Sequence, residues 1–369
     1  MSSFPWHRVF HPLCGADPLT LAELALRRGP PSLAGLPAFA VAVATSLVRL
    51  PFTALDMALG AAAPRGEVAP PVFIVGHPRS GTTHLHNLMA ASGAFSTVPP
   101  VLAAMPWESG TLGPLLRPFI DPYLPETRLI DGVALRPDAP TEDEVGLANL
   151  GWGSYFHAIY FPRRFAQDYR DGLLGGTPRR ERARERAVRR YVLTMARRVE
   201  RPLLLKNPAY TAQTATLARL FPGARVIHIH RDPRAVFASA RRALRRVLDE
   251  LALQDWSHVD VDDVILETYP AMMRALRDQA ARLPASRFAE VAFEDLVAEP
   301  RNVLARLWHR LELPGDERAM VGIEAYLETV RDYRAAPARL SAGQLEDLQR
   351  GWVTELDLYG RDQGQFEGT

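Results

Sequence analysis

Cysteine is almost missing from this chain. Cys14 stands alone among 369 residues, which excludes an intrachain disulfide and fits a reducing compartment. Lysine is just as scarce: of 44 basic residues, Lys206 is the single lysine and the others are arginine. Neither sign of charge is in excess, because 44 basic against 42 acidic residues leave a formal net charge of +2. A global attraction to nucleic acid or another polyanion is therefore not expected. The opening residues Met1-Ser2-Ser3-Phe4-Pro5-Trp6-His7 have neither the basic start nor the apolar run of a secretory signal, so a cytoplasmic location is expected. No His/Cys set with ligand spacing occurs, and no metal is expected. Internal repeats and low-complexity tails are also missing. Apolar residues, by contrast, make up 47% of the chain, enough for one large core with an appended subdomain.

The run Val72-Phe73-Ile74-Val75 reads as a buried strand. It stops at Gly76, turns through Pro78 and Gly81, and continues as a helix from Thr82 through Met89. A strand, a glycine-flanked loop and a helix direct backbone N–H groups and the positive end of the helix dipole at one point, which makes a phosphate cradle. The spacing from Gly76 to Gly81 matches the nucleoside-triphosphate loop G-x-x-x-x-G-K-[ST], but Thr82 follows Gly81 where that loop has lysine. The cation sits inside the loop instead, as Arg79. The alternative, a glycine-rich turn that merely starts a helix, does not account for the embedded arginine.

A second strand, Arg225 to His230, runs into Arg231-Asp232-Pro233-Arg234. Asp232 can cap the next helix and Pro233 suits its first turn. Ser239 lies two helical turns beyond Arg231. An arginine fork with a hydroxyl suits a phosphate monoester. Lys206 closes a third short apolar run, Pro202 to Leu205. A fourth, Phe288 to Phe293, leads into Glu294-Asp295-Leu296, then Glu299-Pro300 and an amphipathic stretch through Leu304, Leu307, Trp308 and Leu311.

Together these segments resemble the sulfotransferases that use 3′-phosphoadenosine 5′-phosphosulfate, with matches spread from Val72 to about Leu313. The pattern P-[RK]-S-G-T-T is similar to their 5′-phosphosulfate loop. The resemblance implies that His77, Arg79, Ser80, Gly81, Thr82 and Thr83 contact the donor, with His84 where relatives often carry an aromatic residue against the adenine. It implies that Arg231 and Ser239, eight positions apart, grip the 3′-phosphate. It also implies that Lys206 stands beside the bridging oxygen between phosphate and sulfonate. Phe293 occupies a place where many members have tyrosine. The chain departs from the cytosolic small-molecule branch in having Pro208 where that branch has a catalytic histidine, and in lacking an R-K-G segment near its end. It instead resembles bacterial members with G-H-P-R-S-G-T-T and a downstream E-D-E segment.

Transfer to a hydroxyl needs a general base, since the acceptor proton must leave as the new S–O bond forms. Glu142 and Glu144, in Pro140-Thr141-Glu142-Asp143-Glu144, are the leading candidates. The competing reading is a solvated helix start, where acids favour the dipole. His77, His86 and His157 are the alternatives as base.

The expected layout is a helical N-terminal segment, residues 1–69, and an α/β domain, 70–369, with a P-loop NTPase-like parallel sheet flanked by helices. The run from Ser32 to Val48 carries no charge, but it is short for a membrane span, and Arg49 and Pro51 are expected to close it. A packed N-terminal helix is expected there, with peripheral membrane contact beside a lipid-like acceptor as the variant. Thr177 to Arg201 is dense in arginine and reads as a helix with a solvated face. Residues 99–140 read as substrate-side loops or short helices. The function expected is sulfonate transfer to a hydroxyl or amine of a small-molecule, lipid or glycan acceptor. The rivals are a non-catalytic nucleotide-binding protein and a P-loop nucleotide kinase or hydrolase.

Overall fold

The computed structural model describes residues 11–62, 68–124, 136–315, 317–331 and 340–360. The four apolar runs form β1 (Val72–Val75), β2 (Leu204–Lys206), β3 (Arg225–His230) and β4 (Phe288–Ala292). They pair in parallel in the order β2-β1-β3-β4. Every residue of β1 and β2 is buried. Strands covered on both faces read as unbroken apolar runs rather than alternations, which is how they appear in the sequence. Successive residues of β1 serve opposite faces. Phe73 meets the rings of Tyr210 and Phe221, with centroids 5.4 and 5.7 Å away. Val72 and Ile74 join Leu85, Leu88, Leu304 and Leu307 in one core cluster.

This order decides where a ligand can sit. The chain goes from β1 to β2 on one side, then returns to place β3 on the other, so the winding reverses at β1. In such sheets the crevice outside the strand carboxyl ends, at the β1/β3 switch point, is the binding position. β1 ends one residue before Gly76, β3 ends one residue before Arg231, and β2 ends on Lys206 itself. The helix Thr82–Ala91 follows β1, and Pro233–Leu251 follows β3. Asp232 caps the latter as expected: its carboxylate accepts from the Arg234 backbone N–H at 2.8 Å.

The chain divides into two compact units. The sheet unit draws on Ala69–Thr97, Val199–Arg242 and the residues from Asp260 onward. The other is helical, combining the segment up to Val68 with Val98–Arg198 and Ala243–Val259. Short helices do occupy the proline-rich stretch, at Pro100–Ala104 and Leu112–Ile120; residues 125–135 lie outside the described residues.

Two expectations for the helical unit need correction. The apolar helix does not close at Arg49 and Pro51 but runs from Leu36 to Ala62, 27 residues. Arg49 fails to end it because its guanidinium turns inward, to the Glu108 carboxylate at 2.5 Å and the Ala16 carbonyl at 2.6 Å. The side chains this helix buries are Ala38, Ala42, Ser46, Arg49, Thr53 and Asp56, so small and polar residues do the packing. The arginine-rich helix Pro178–Ala196 starts at the Thr177 cap as expected, but its face is not uniformly solvated. Arg180 and Arg184 are each 6% exposed. Arg180 approaches Asp168 and Asp171, both at 3.4 Å, and Arg184 reaches Glu144 at 3.1 Å.

Candidate functional site

The loop after β1 is shaped by backbone constraints before any side chain matters. Gly76 has φ 152°, and a Cβ there would meet the Ile229 carbonyl oxygen at 2.4 Å. Gly81 has φ 97°, and a Cβ would press on the Phe293 ring at 2.3 Å. Only glycine fits either position. Arg79 also takes a positive φ, 77°, a conformation a residue with a side chain adopts at a cost and one that recurs at functional sites. Gly81 occupies the N-cap of the helix Thr82–Ala91, and no side chain caps it. Its first turn carries no acid, so the positive end of the helix dipole there favours an anion.

Five hydrogen bonds and one ring contact fix the loop. The Gly76 N–H donates to the Thr211 hydroxyl at 2.8 Å. Ser80 closes the turn, its hydroxyl donating to the His77 carbonyl at 2.8 Å and its N–H reaching the same oxygen at 3.1 Å. His77 is buried, donates from Nδ1 to the Pro78 carbonyl at 2.8 Å, and sets its ring against Tyr269. Burial lowers its pKa to about 4, so the imidazole is neutral and supports the loop from beneath. Arg79 donates from Nε to the Ser239 hydroxyl at 3.0 Å, across 160 positions of sequence.

That last contact brings together two residues whose expected roles lay at opposite ends of one donor. Arg231 stands over the Phe293 ring, its guanidinium carbon 4.6 Å from the centroid, a cation–π distance. The same ring touches Gly81 and lies 6.3 Å from His84, which also neighbours Tyr326 at 6.2 Å. Burial lowers the His84 pKa and favours its neutral, stacking form. Phenylalanine in place of tyrosine therefore still supplies a platform under Arg231. Lys206 is 1% exposed and pairs in register with Ile74, two residues before Gly76. The next residue, Asn207, folds its side chain back to accept from the Ala209 N–H at 2.9 Å and starts the turn that carries Thr211. Thr211 and Tyr326 had no local signal in the sequence.

The acidic segment belongs to the helical unit, and its three carboxylates are not equivalent. Glu144 is fully buried, paired with Arg184 at 3.1 Å and accepting from the Tyr155 N–H at 3.2 Å. It is held as a structural ion pair. Asp143 is 1% exposed, and burial together with this neighbouring carboxylate pushes the Tyr191 phenol pKa well up. Glu142 is half-buried and accepts from the Tyr155 hydroxyl at 3.0 Å. Burial and the neighbouring carboxylates push the Tyr155 pKa well up, so its phenol stays a donor. The histidine alternatives fare worse. His86 is buried and donates to the Leu204 carbonyl at 3.3 Å. His157 is buried, donates to the Ala148 carbonyl at 2.8 Å, and has its pKa lowered to about 3, chiefly by burial.

Residues 70–317 match the family model described as "Sulfotransferase family". The chain belongs to the sulfotransferase family. Two curated relatives, from Mycobacterium bovis and Mycobacterium tuberculosis, are both named omega-hydroxy-beta-dihydromenaquinone-9 sulfotransferase Stf3. Each is 30% identical over 295 residues, covering 79% of this chain and 76% of the relative. The fold is also similar to solved sulfotransferases. STF9 from Mycobacterium avium superposes with a TM-score of 0.70 at 17% identity, covering 96% of this chain and 98% of that one. STF1 from Mycobacterium tuberculosis gives 0.64 at 18% identity, covering 90% and 89%. This sulfotransferase is therefore an enzyme of group transfer, and its parallel α/β sheet is the fold of that family.

Proposed function

We propose that this enzyme moves the sulfonate of 3′-phosphoadenosine 5′-phosphosulfate to the hydroxyl of a lipid-like acceptor, of the kind named in the menaquinone-derivative sulfotransferases it is similar to. One observation carries the donor reading: an uncapped helix N-terminus at Gly81 shares a loop with Arg79, and Arg79 reaches Ser239 at 3.0 Å. Two anion-holding positions of different build, amides at one and arginine with hydroxyl at the other, suit a nucleotide with phosphates at two positions. The resemblance to the 30% identical relatives supports the acceptor class.

In this scheme the loop amides with Thr82 and Thr83 hold the 5′-phosphate, and Arg231, Arg79 and Ser239 select the 3′-phosphate. The acceptor oxygen attacks sulfur in line, the new S–O bond forms, and the bond from sulfur to the bridging oxygen breaks. The acceptor proton passes to a base, and 3′-phosphoadenosine 5′-phosphate departs. Lys206 stabilises charge growing on the bridging oxygen. Glu142 is the base, oriented by the Tyr155 phenol; Glu144, tied to Arg184, positions that segment and keeps its own carboxylate occupied. Such loose transfers depend mainly on positioning and charge stabilisation, by analogy with phosphoryl transfer.

The test is transfer of radiolabelled sulfonate from the donor to a hydroxylated menaquinone derivative, a simple phenol and a sugar. Label should enter the menaquinone derivative, and Lys206→Arg should lower that rate about 10²-fold with product binding kept. Equal labelling of all three acceptors would remove the acceptor class, and turnover surviving Lys206→Ala would remove the mechanism.

A further inference from the structure

The helix Leu36–Ala62 is amphipathic in the wrong sense for a soluble surface. An ordinary surface helix turns its apolar stripe to the core and its charges to water. Here the inward stripe, at spacings of three and four, includes Ser46, Arg49, Thr53 and Asp56. Its charges are all satisfied within the helical unit. Arg49 pairs with Glu108, which is 0% exposed, and the Thr53 hydroxyl donates to the same carboxylate. Asp56 pairs with Arg198 at 3.1 Å and accepts from the Gly110 N–H at 2.8 Å. The outward face is the apolar one: Leu47 is 53% exposed, Val48 74%, Leu55 48%, Met57 49% and Leu59 53%, with Phe52 beside them.

A second helix begins beside the inward face. Asp56 also neighbours the Thr111 hydroxyl, at 3.4 Å, where the next helix, Leu112–Ile120, begins. This second helix and the turn after it expose Leu115, Phe119 and Tyr123, at 62%, 69% and 87%. Isolated exposed leucines need no explanation, but Leu47, Val48, Leu50, Phe52, Leu55, Met57 and Leu59 exposed along one helix mark an interaction surface. Its makeup favours a bilayer over a protein partner: long aliphatic side chains line a helix long and apolar enough to cross a membrane, and the second helix adds exposed Phe and Tyr, residues that settle at the lipid–water boundary. Charge supports the same occupant. Arg198, which anchors Asp56, directly follows the arginine-rich helix, where Arg179, Arg182, Arg186 and Arg189 are exposed against the acids Glu181 and Glu185. Exposed guanidinium groups in the same unit as the apolar face suit anionic lipid headgroups.

We propose that the outward face of Leu36–Ala62 is a membrane-docking surface that lies flat in the interface of a lipid bilayer. The helix lies in the plane and does not span, because spanning would carry Arg49 and Asp56 out of their ion pairs and into hydrocarbon. The inference goes beyond the acceptor reading above and is measured without donor or acceptor.

The experiment is flotation of the full chain with vesicles of phosphatidylcholine alone and of phosphatidylcholine mixed with phosphatidylglycerol. The protein should float with both, more strongly with the mixture, and the binding to phosphatidylcholine should persist in high salt. Val48→Glu combined with Leu55→Glu should lower the floated fraction about tenfold or more, with the circular dichroism spectrum and 3′-phosphoadenosine 5′-phosphate binding unchanged. A second measurement stands if that variant misfolds. With Cys14→Ser and Val48→Cys, an environment-sensitive fluorophore at residue 48 should shift to the blue when vesicles are added, and the same dye on Glu346→Cys, exposed in the sheet unit, should not. A protein that stays in the soluble fraction would overturn the proposal. So would binding that needs anionic lipid and vanishes in salt, since arginines alone would then carry it. A stable dimer in solution that Val48→Glu breaks would also overturn it and assign the face to a second copy of the chain.

Discussion

The loop from Gly76 to Thr83 and the acidic segment from Glu142 to Glu144 both carry polar groups into a buried setting, and they resolve it in opposite ways. The loop satisfies its own side chains internally, Ser80 on the His77 carbonyl and His77 on the Pro78 carbonyl, while the helix N-terminus it delivers is left without a side-chain cap. The acidic segment pairs Glu144 with Arg184 and the Tyr155 N–H, and buries Asp143 near Tyr191. The half-exposed group in that run is Glu142. The difference teaches that a row of like residues is not a row of like roles. In the proposed mechanism chemistry falls to the partly exposed Glu142, and fold stability to Glu144, buried against Arg184.

The sharpest way to break this comparison is to neutralise each glutamate separately. Glu142→Gln should lower turnover by about 10²–10⁴-fold with donor binding intact, the usual contribution of a general base, and the loss should shrink for acceptors with an acidic hydroxyl. Steady-state rates on an ordinary alcohol and a phenol check this. Full activity of Glu142→Gln would move the base elsewhere.

Glu144→Gln should act on stability instead. Removing one partner of a buried pair strands Arg184 and should cost about 3–5 kcal/mol in denaturant unfolding. Adding Arg184→Met to Glu144→Gln should recover part of that cost, because the uncompensated charge is gone. A fully stable Glu144→Gln that is catalytically dead would reverse the two assignments.

Acid should reveal the neutral histidines of both units. His77 and His157 have folded pKa values lowered to about 4 and about 3, against an unfolded value near 6.5. Below the unfolded value the unfolded chain binds protons that the folded chain refuses, so the stability each provides is complete above about pH 6.5. It is lost as pH falls from there through the folded value, up to about 3 kcal/mol for His77 and about 5 kcal/mol for His157. Denaturant midpoints between neutral pH and pH 4 should fall, and His157→Gln should flatten the slope while lowering stability at neutral pH. A flat wild-type profile would contradict the burial of both rings.

Gly81→Ala should show a smaller effect confined to the loop. The positive φ and the contact with Phe293 predict strain of about 1–3 kcal/mol and weaker donor binding. If Gly81→Ala binds 3′-phosphoadenosine 5′-phosphate as the parent does, the tight approach of Phe293 to the loop is not needed.

What was legible in the sequence was local. Val72 to Val75 reads as a buried strand because it is buried on both faces, and Asp232-Pro233 reads as a helix start because the cap and the first turn are adjacent. The parallel sheet and the placing of Lys206 and Arg231 at strand carboxyl ends follow from the same short-range signals. What was not legible depends on partners far along the chain. The separate fates of Glu142 and Glu144 depend on Arg184, 40 positions away, and the contact of Arg79 with Ser239 spans 160. The helix from Leu36 passes Arg49 because Glu108, 59 positions on, accepts its guanidinium. A charge in an apolar run looks like an end until its partner is known.

The central claim, that the β1/β3 switch point holds a nucleotide with phosphates at both the 5′ and 3′ positions, is tested most directly by calorimetric titration without metal. Arg231 and Ser239 should supply charge-assisted bonds of about 1.5–3 kcal/mol, so 3′-phosphoadenosine 5′-phosphate should bind roughly tenfold to a hundredfold more tightly than AMP. Arg231→Ala should bring the two affinities together. Equal affinities for the unaltered protein would contradict the account.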